Sequence, residues 1–138
     1  MRQCHVLIVE DVEEIAEIEA AIVGRLGVAD STIVLSGNDA ISTLGQRQFD
    51  LIILDLSLPD LPGQAVLDFL EQDAKLRAIP VIVVSANVDD LRRTAQLAKV
   101  LVKPVDFFEM VDVITKAVES WERMTASDQS RETVQQVS

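Results

Sequence analysis

Glu10, Asp11, Asp55, Ser85 and Lys103 are the residues whose types could do chemistry together. Three acids suit a hard divalent cation such as Mg2+, which takes oxygen ligands in octahedral array and keeps several waters. Crowded carboxylates repel one another, and a cation relieves that repulsion. A carboxylate held this way stays ionised and can act as a nucleophile. Where the electrophile is a phosphoryl group, charge builds on its equatorial oxygens. The cation, an ammonium and a hydroxyl are then suitable stabilisers. In this reading Asp55 is the nucleophile and Lys103 and Ser85 are stabilisers. Asp11 and Asp55 donate oxygens to the cation, with Glu10 helping directly or through water.

Residues 10 to 103 can meet only if the fold brings them together, and each stands at the end of an apolar run. Leu7-Ile8-Val9 ends in Glu10-Asp11, and Leu51-Ile52-Ile53-Leu54 ends in Asp55. Val81-Ile82-Val83-Val84 ends in Ser85, and Val100-Leu101-Val102 ends in Lys103-Pro104. Continuous apolar strands separated by helical stretches mean a parallel sheet covered on both faces. Ligands of such sheets bind outside the carboxyl ends of the strands, where these five residues fall.

The spacing predicts five βα units. Strands are expected over residues 5–9, 32–35, 50–54, 80–84 and 99–102. The first helix carries Ile15, Ile18, Ile22 and Leu26 on its apolar face, with Asp11 and Glu14 as a capping box and Gly27 as its end. A second helix runs from Gly37 to Leu44 and stops at Gly45. Pro62 suits the first turn of a third helix, which buries Val66, Leu67 and Leu70. Asn87 and Asp90 cap a short helix over 87–98. The last helix starts near Asp106, capped by it with Glu109 completing the box. Phe107, Met110, Val111, Ile114, Val118 and Trp121 line one of its faces. Right-handed crossovers then favour a doubly wound α/β sheet of flavodoxin-like strand order, 2-1-3-4-5. From Thr125 the apolar pattern stops. Residues 1–124 are therefore expected to form the domain, and 125–138 a frayed polar tail or linker stub.

Composition narrows the function. A chain of 138 residues, nearly half of them apolar, holds one domain with one sizeable core. A net charge of -11 argues against nucleic acid and against anionic membrane as partners. The single cysteine, Cys4, allows no internal disulfide and reads as a small buried hydrophobe. No run approaches a membrane span or a signal peptide, so a cytoplasmic location is expected. The one histidine, His5, lies at a strand start, far from the carboxyl edge, and is not expected to bind metal or carry phosphate.

In these residues the chain resembles the receiver domains of two-component response regulators, over about residues 4 to 121. The resemblance is carried by Leu7-Ile8-Val9-Glu10-Asp11, by residues 50–59 followed by Gly63, by Ile79-Pro80 through Ser85-Ala86, and by Lys103-Pro104, all in order. It implies that Asp55 accepts phosphate from a sensor histidine kinase or histidine phosphotransfer protein. It further implies Mg2+ held by Asp11, Asp55 and the backbone carbonyl of Ser57, with Glu10 assisting. Lys103 would contact the phosphoryl group, and Ser85 would move toward it after transfer. A cis Lys103-Pro104 peptide is common in the family. The module would signal through protein contacts and would not be an enzyme with a separate substrate.

The chain departs from the family in its output region. Ser85 and Lys103 are 18 positions apart, about one helical turn fewer than the family usually has, so the fourth helical region is shortened. Val100 stands where the family usually has Tyr or Phe, so its aromatic switch is absent. Pro62 replaces a frequent Asp before Gly63. Partner docking or homodimer formation is therefore expected through the last helix, which carries Phe108, Val113 and Trp121. Two other readings of the site are a degenerate, unphosphorylated receiver and a haloacid-dehalogenase-like phosphatase. The phosphatase would need an acid two residues after the nucleophile, where this chain has Ser57. A flavodoxin would need a Ser/Thr/Gly phosphate loop where this chain has Glu10-Asp11-Val12-Glu13-Glu14.

Overall fold

The computed structural model describes residues 2–86 and 97–137, with side chains in 2–86 and 99–126. Five strands form one sheet: β1 (Cys4–Val9), β2 (Ala29–Val34), β3 (Leu51–Asp55), β4 (Val81–Ser85) and β5 (Leu97–Val102). All pairings are parallel and the order is β2-β1-β3-β4-β5, as the sequence implies. The helices are α1 (Glu13–Arg25), α2 (Gly37–Gln46), α3 (Gly63–Glu71), α4 (Ala74–Arg77) and α5 (Phe107–Val137).

Alternation along the strands divides the core into two layers. Val6, Ile8, Leu51, Ile53, Ile82 and Val84 face one side and pack with Ile22 and Val23 of α1 and Met110, Ile114 and Val118 of α5. Leu7, Val9, Ile52, Leu54, Val81 and Val83 face the other and pack with Leu44 of α2 and Val66, Leu67 and Leu70 of α3. Burial on both faces is why these strands read as unbroken apolar runs. Register then levels their ends. Val9 pairs with Leu54, Asp55 with Val84, and Ser85 with Val102.

Several boundaries differ from those the sequence predicts. Val12 is the N-cap of α1 and makes no side-chain cap, so Asp11 is not half of a capping box. Gly45 lies inside α2, whose N-cap is Ser36, accepting from the Asp39 amide at 3.1 Å. The short helix α4, capped by Asp73 on the Lys75 amide at 2.7 Å, has no counterpart in the sequence reading. β5 begins at Leu97, and its register with β4 shifts between Val81 and Ile82, so Ala98 belongs to the strand and not to a preceding helix. The Asn87 and Asp90 caps and the shortened helical region fall on residues 87–96, outside those described. Gly27 does end α1, with a φ of +75° that favours glycine.

The buried stripe of α1 is Ala16, Glu19, Ile22 and Val23, whereas Ile15 and Ile18 are exposed. On α5, Met110, Ile114 and Val118 are buried, and Val111, Val113 and Trp121 pack against them. Phe107 is exposed, contrary to the expected face, and Val113 and Trp121 are not free surface. Asp106 caps α5 through the amides of Phe108 (2.7 Å) and Glu109 (3.3 Å). The backbone of α5 runs on to Val137 where fraying was expected from Thr125. No Gly or Pro follows Pro104, so nothing in the local sequence stops the helix.

Candidate functional site

β3 ends in Asp55, whose side chain is 2% exposed. Lys103, the first residue after β5, reaches across to it with Nζ 2.8 Å from Oδ2. The Lys103 amide donates to the Ser85 carbonyl at 2.9 Å, which ties the lysine to the end of β4. The Ser57 amide donates to Asp55 Oδ1 at 2.8 Å, so each oxygen of Asp55 has its own partner. The Lys103-Pro104 peptide is cis.

Glu10 follows β1 and is equally buried. Its Oε1 accepts from the Val12 amide at 3.1 Å. Because α1 starts only at Glu13, Asp11 remains in the loop with its side chain exposed. Carboxylate oxygens of Glu10, Asp11 and Asp55 all lie within 4.8 Å of one another. Ser85 is buried at the end of β4, one residue beyond the Val84–Asp55 pairing. The structure thus brings Glu10, Asp11, Asp55, Ser57, Ser85 and Lys103 to one edge, as the sequence predicts.

The charges answer one another. Burial, with the Asp55 carboxylate beside it, pushes Glu10 up to about 7. Burial alone would lower Lys103. The hydrogen bond and charge of Asp55, helped by Glu10 and Asp11, outweigh that and hold it above its ordinary value. An acid trio with one ammonium retains excess negative charge and a donor set of hard oxygens, which fits a divalent cation.

The response regulator receiver domain family matches residues 6–118. The chain belongs to this family. It is therefore a receiver domain of the two-component type. A Vibrio cholerae regulatory protein, LuxO, is 32% identical over 116 residues, covering 80% of this chain and 24% of the relative. The chain thus corresponds to about a quarter of that relative's length. The crystal structure of the signal receiver domain of a LuxO-type repressor from Vibrio parahaemolyticus has a TM-score of 0.76 at 26% identity, covering 91% of this chain and 97% of that one. The receiver domain of a Pseudomonas aeruginosa sensor histidine kinase has a TM-score of 0.71 at 24% identity, covering 85% and 98%. That likeness is one of fold, and its structure holds a magnesium ion coordinated in the active site cleft.

Two acids near this edge escape a reading by strand ends. Glu19 is 2% exposed in the middle of α1, and its Oε2 has no hydrogen-bond partner among the described residues. A glutamate on a helix with Glu13, Glu14 and Glu17 looks like part of a solvated face, so the sequence carried no signal for its burial. Asp60 lies in the loop after Asp55 and bonds to α2. Its turn composition was legible, but its partner 23 residues away was not.

Proposed function

We propose that this receiver domain accepts a phosphoryl group on Asp55 from a sensor histidine kinase or a histidine phosphotransfer protein. The observation that carries the reading is the 2.8 Å pairing of Lys103 Nζ with Asp55 Oδ2 within an acid trio whose Glu10 and Asp55 are buried and whose Asp11 faces solvent. An Asp55 oxygen attacks phosphorus, an O–P bond forms, and the N–P bond to the donor imidazole breaks. Lys103 faces the oxygen that becomes the acyl phosphate and stabilises charge on the transferred group. Asp11, Asp55 and the Ser57 carbonyl would hold Mg2+, with Glu10 directly or through water. When bound, the ion neutralises charge on the phosphoryl oxygens. Ser85 would donate its hydroxyl to the product. Incubation with acetyl phosphate and Mg2+ should add one phosphate by intact mass, and an unchanged mass would count against the reading.

Cation binding should be visible in stability, because a ligand of the native state raises the melting temperature. Millimolar Mg2+ should raise it in the parent and much less in Asp11→Ala. The parent's shift should be smaller at pH 6 than at pH 8, since a proton on Glu10 competes with the ion. Equal Mg2+ responses in parent and variant would remove Asp11 from the ligand set.

The domain acts as a contact module, in the cytoplasm, and not as an enzyme on a separate substrate. Among the described residues no helix is long and apolar enough to cross a membrane. Its output surface is the start of α5. Phe108 is 80% exposed and meets the exposed Phe107 edge-to-face at 5.8 Å, a pair of apolar groups that a partner or second copy can cover. Analytical ultracentrifugation should show concentration-dependent self-association that Phe108→Glu abolishes. A parent that stays monomeric at high concentration, with and without phosphate, would sink the homodimer.

A further inference from the structure

The loop that leaves the phosphoacceptor strand is closed on itself and bolted to a neighbouring helix. Gly63 N–H donates to the Leu56 carbonyl at 3.0 Å, and Ser57 bridges to Pro62, so residues 56–63 form a tight closed loop. A Cβ on Gly63 would sit 2.4 Å from the Leu56 Cα, which leaves room only for glycine. At the tip, Asp60 spans to α2. Its Oδ1 accepts from the Gly37 amide and its Oδ2 from the Asn38 amide, each at 2.8 Å. These amides have no partner within the helix, and the helix dipole favours an anion there. They hold the Asp60 carboxyl below its usual range, the Asn38 bond contributing most. Beside this anchor Leu61 presses on Gly37, where a Cβ would meet Leu61 Cβ at 3.0 Å.

At the other end of the same loop, the Ser57 amide holds Asp55 Oδ1. Beyond its own closure, the loop therefore has two outward polar ties: to the phosphoacceptor carboxylate and to the start of α2. Without Asp60 the closure at Leu56–Gly63 and Ser57–Pro62 remains, but the loop loses its polar tie to α2. We propose that Asp60 is a positioning residue for the reaction at Asp55: by clamping the 56–63 loop to the N-terminus of α2 it fixes the Ser57 backbone against the Asp55 carboxylate. This inference rests on the phosphoacceptor reading above and adds a residue that touches neither phosphate nor cation. Groups that orient metal ligands without touching the ion typically alter metal affinity by about 10–100-fold, and the clamp belongs at the lower end because Asp55 and Asp11 remain.

The test uses three variants of the full chain. Asp60→Ala removes both acceptors. Asp60→Asn removes the charge but keeps one acceptor. Gly37→Ala keeps the charge and pushes Leu61 off the helix start. Mg2+ affinity is read by calorimetry, the labelling rate by intact mass with acetyl phosphate, and the clamp itself by hydrogen exchange of the Ser57 amide. Asp60→Ala should weaken Mg2+ binding and slow labelling by roughly tenfold, and should speed Ser57 exchange. Gly37→Ala should move all three in the same direction, and Asp60→Asn should lie between Asp60→Ala and the parent. An active parent whose Mg2+ affinity and labelling rate survive Asp60→Ala, with only the melting temperature lowered, would reduce Asp60 to a helix cap and overturn the proposal. Asp60→Asn matching Asp60→Ala while Gly37→Ala behaves as parent would show a charge effect, and would overturn it too. A parent inert toward Mg2+ and phosphate would sink the phosphoacceptor reading and the clamp's catalytic purpose with it. Ser57 exchange in Asp60→Ala would still show whether the mechanical link exists.

Discussion

Asp55→Asn should take up no phosphate under conditions in which the parent gains one. Three carboxylates lie within 4.8 Å of one another, so the selectivity needs a reason. The only ammonium among the described residues paired within this trio is that of Lys103, and it sits on Asp55 at 2.8 Å. Charge that develops on an incoming phosphoryl group is therefore compensated over Asp55 and not over Glu10 or Asp11. Glu10 is the poorer nucleophile as well, since its value near 7 leaves much of it protonated at neutral pH when no cation is bound. Asparagine keeps the size of the side chain and one of the two acceptor oxygens, enough to hold the Ser57 amide, so the fold should persist. What is lost is the anionic oxygen that forms the O–P bond. The expected effect is loss of labelling, not slowing. Phosphate retained on Asp55→Asn, located by fragmentation on Glu10 or Asp11, would move the acceptor.

Strand ends were legible because a strand buried on both faces must be apolar throughout, and the first polar residue after it marks the edge. Glu10, Asp55, Ser85 and Lys103 were found in that way, and the levelled register brings them together. Helix faces were less legible. On α1 two overlapping stripes satisfy helical spacing: Ile15, Ile18, Ile22 and Leu26, or Ala16, Glu19, Ile22 and Val23. Counting apolar residues selects the first, but the structure buries the second. Ala16 has almost no side chain to separate helix from sheet, so that face allows closer approach. The isoleucines are left half out, Ile18 at 48% exposure. Helix ends fared similarly: α2 runs past Gly45 to Gln46, absorbing the roughly 1 kcal/mol that glycine costs in a helix interior, so composition alone misplaced the stop. Tertiary partners such as Asp60 on α2 have no local signature at all.

The stripe chosen on α1 has an energetic consequence that Glu19→Leu should expose. Side chains on a helix lean toward its N-terminus, so Glu19 points back toward the edge that holds Glu10 and Asp55. Burial first, then those two charges, push its carboxyl from 4.5 up to about 8, against the opposing pull of Lys103. Glu19 is thus held neutral in the native state at pH 7, while the unfolded chain has released the proton. Between about 4.5 and about 8 the native state binds more protons than the unfolded state, so stability falls as pH rises through that window and is level on either side of it. At roughly 1.4 kcal/mol per unit, the cost at pH 7 is on the order of 3 kcal/mol. Leucine removes that cost and supplies apolar surface of similar size on the helix stripe that Ala16, Ile22 and Val23 bury. Even buried ion pairs, replaced by packed apolar residues, leave other proteins as stable or about 1–4 kcal/mol more stable. Glu19→Leu should therefore melt roughly 5–10 °C higher at pH 7 in EDTA. Its advantage over the parent should widen from pH 5 to pH 8. Glu10 titrates with the same sign in both proteins, so the difference between the two pH profiles reports Glu19 together with its coupling to Glu10. Parallel profiles across that range would mean that Glu19 carries no proton the unfolded chain lacks, and that the buried carboxyl is compensated by some other contact.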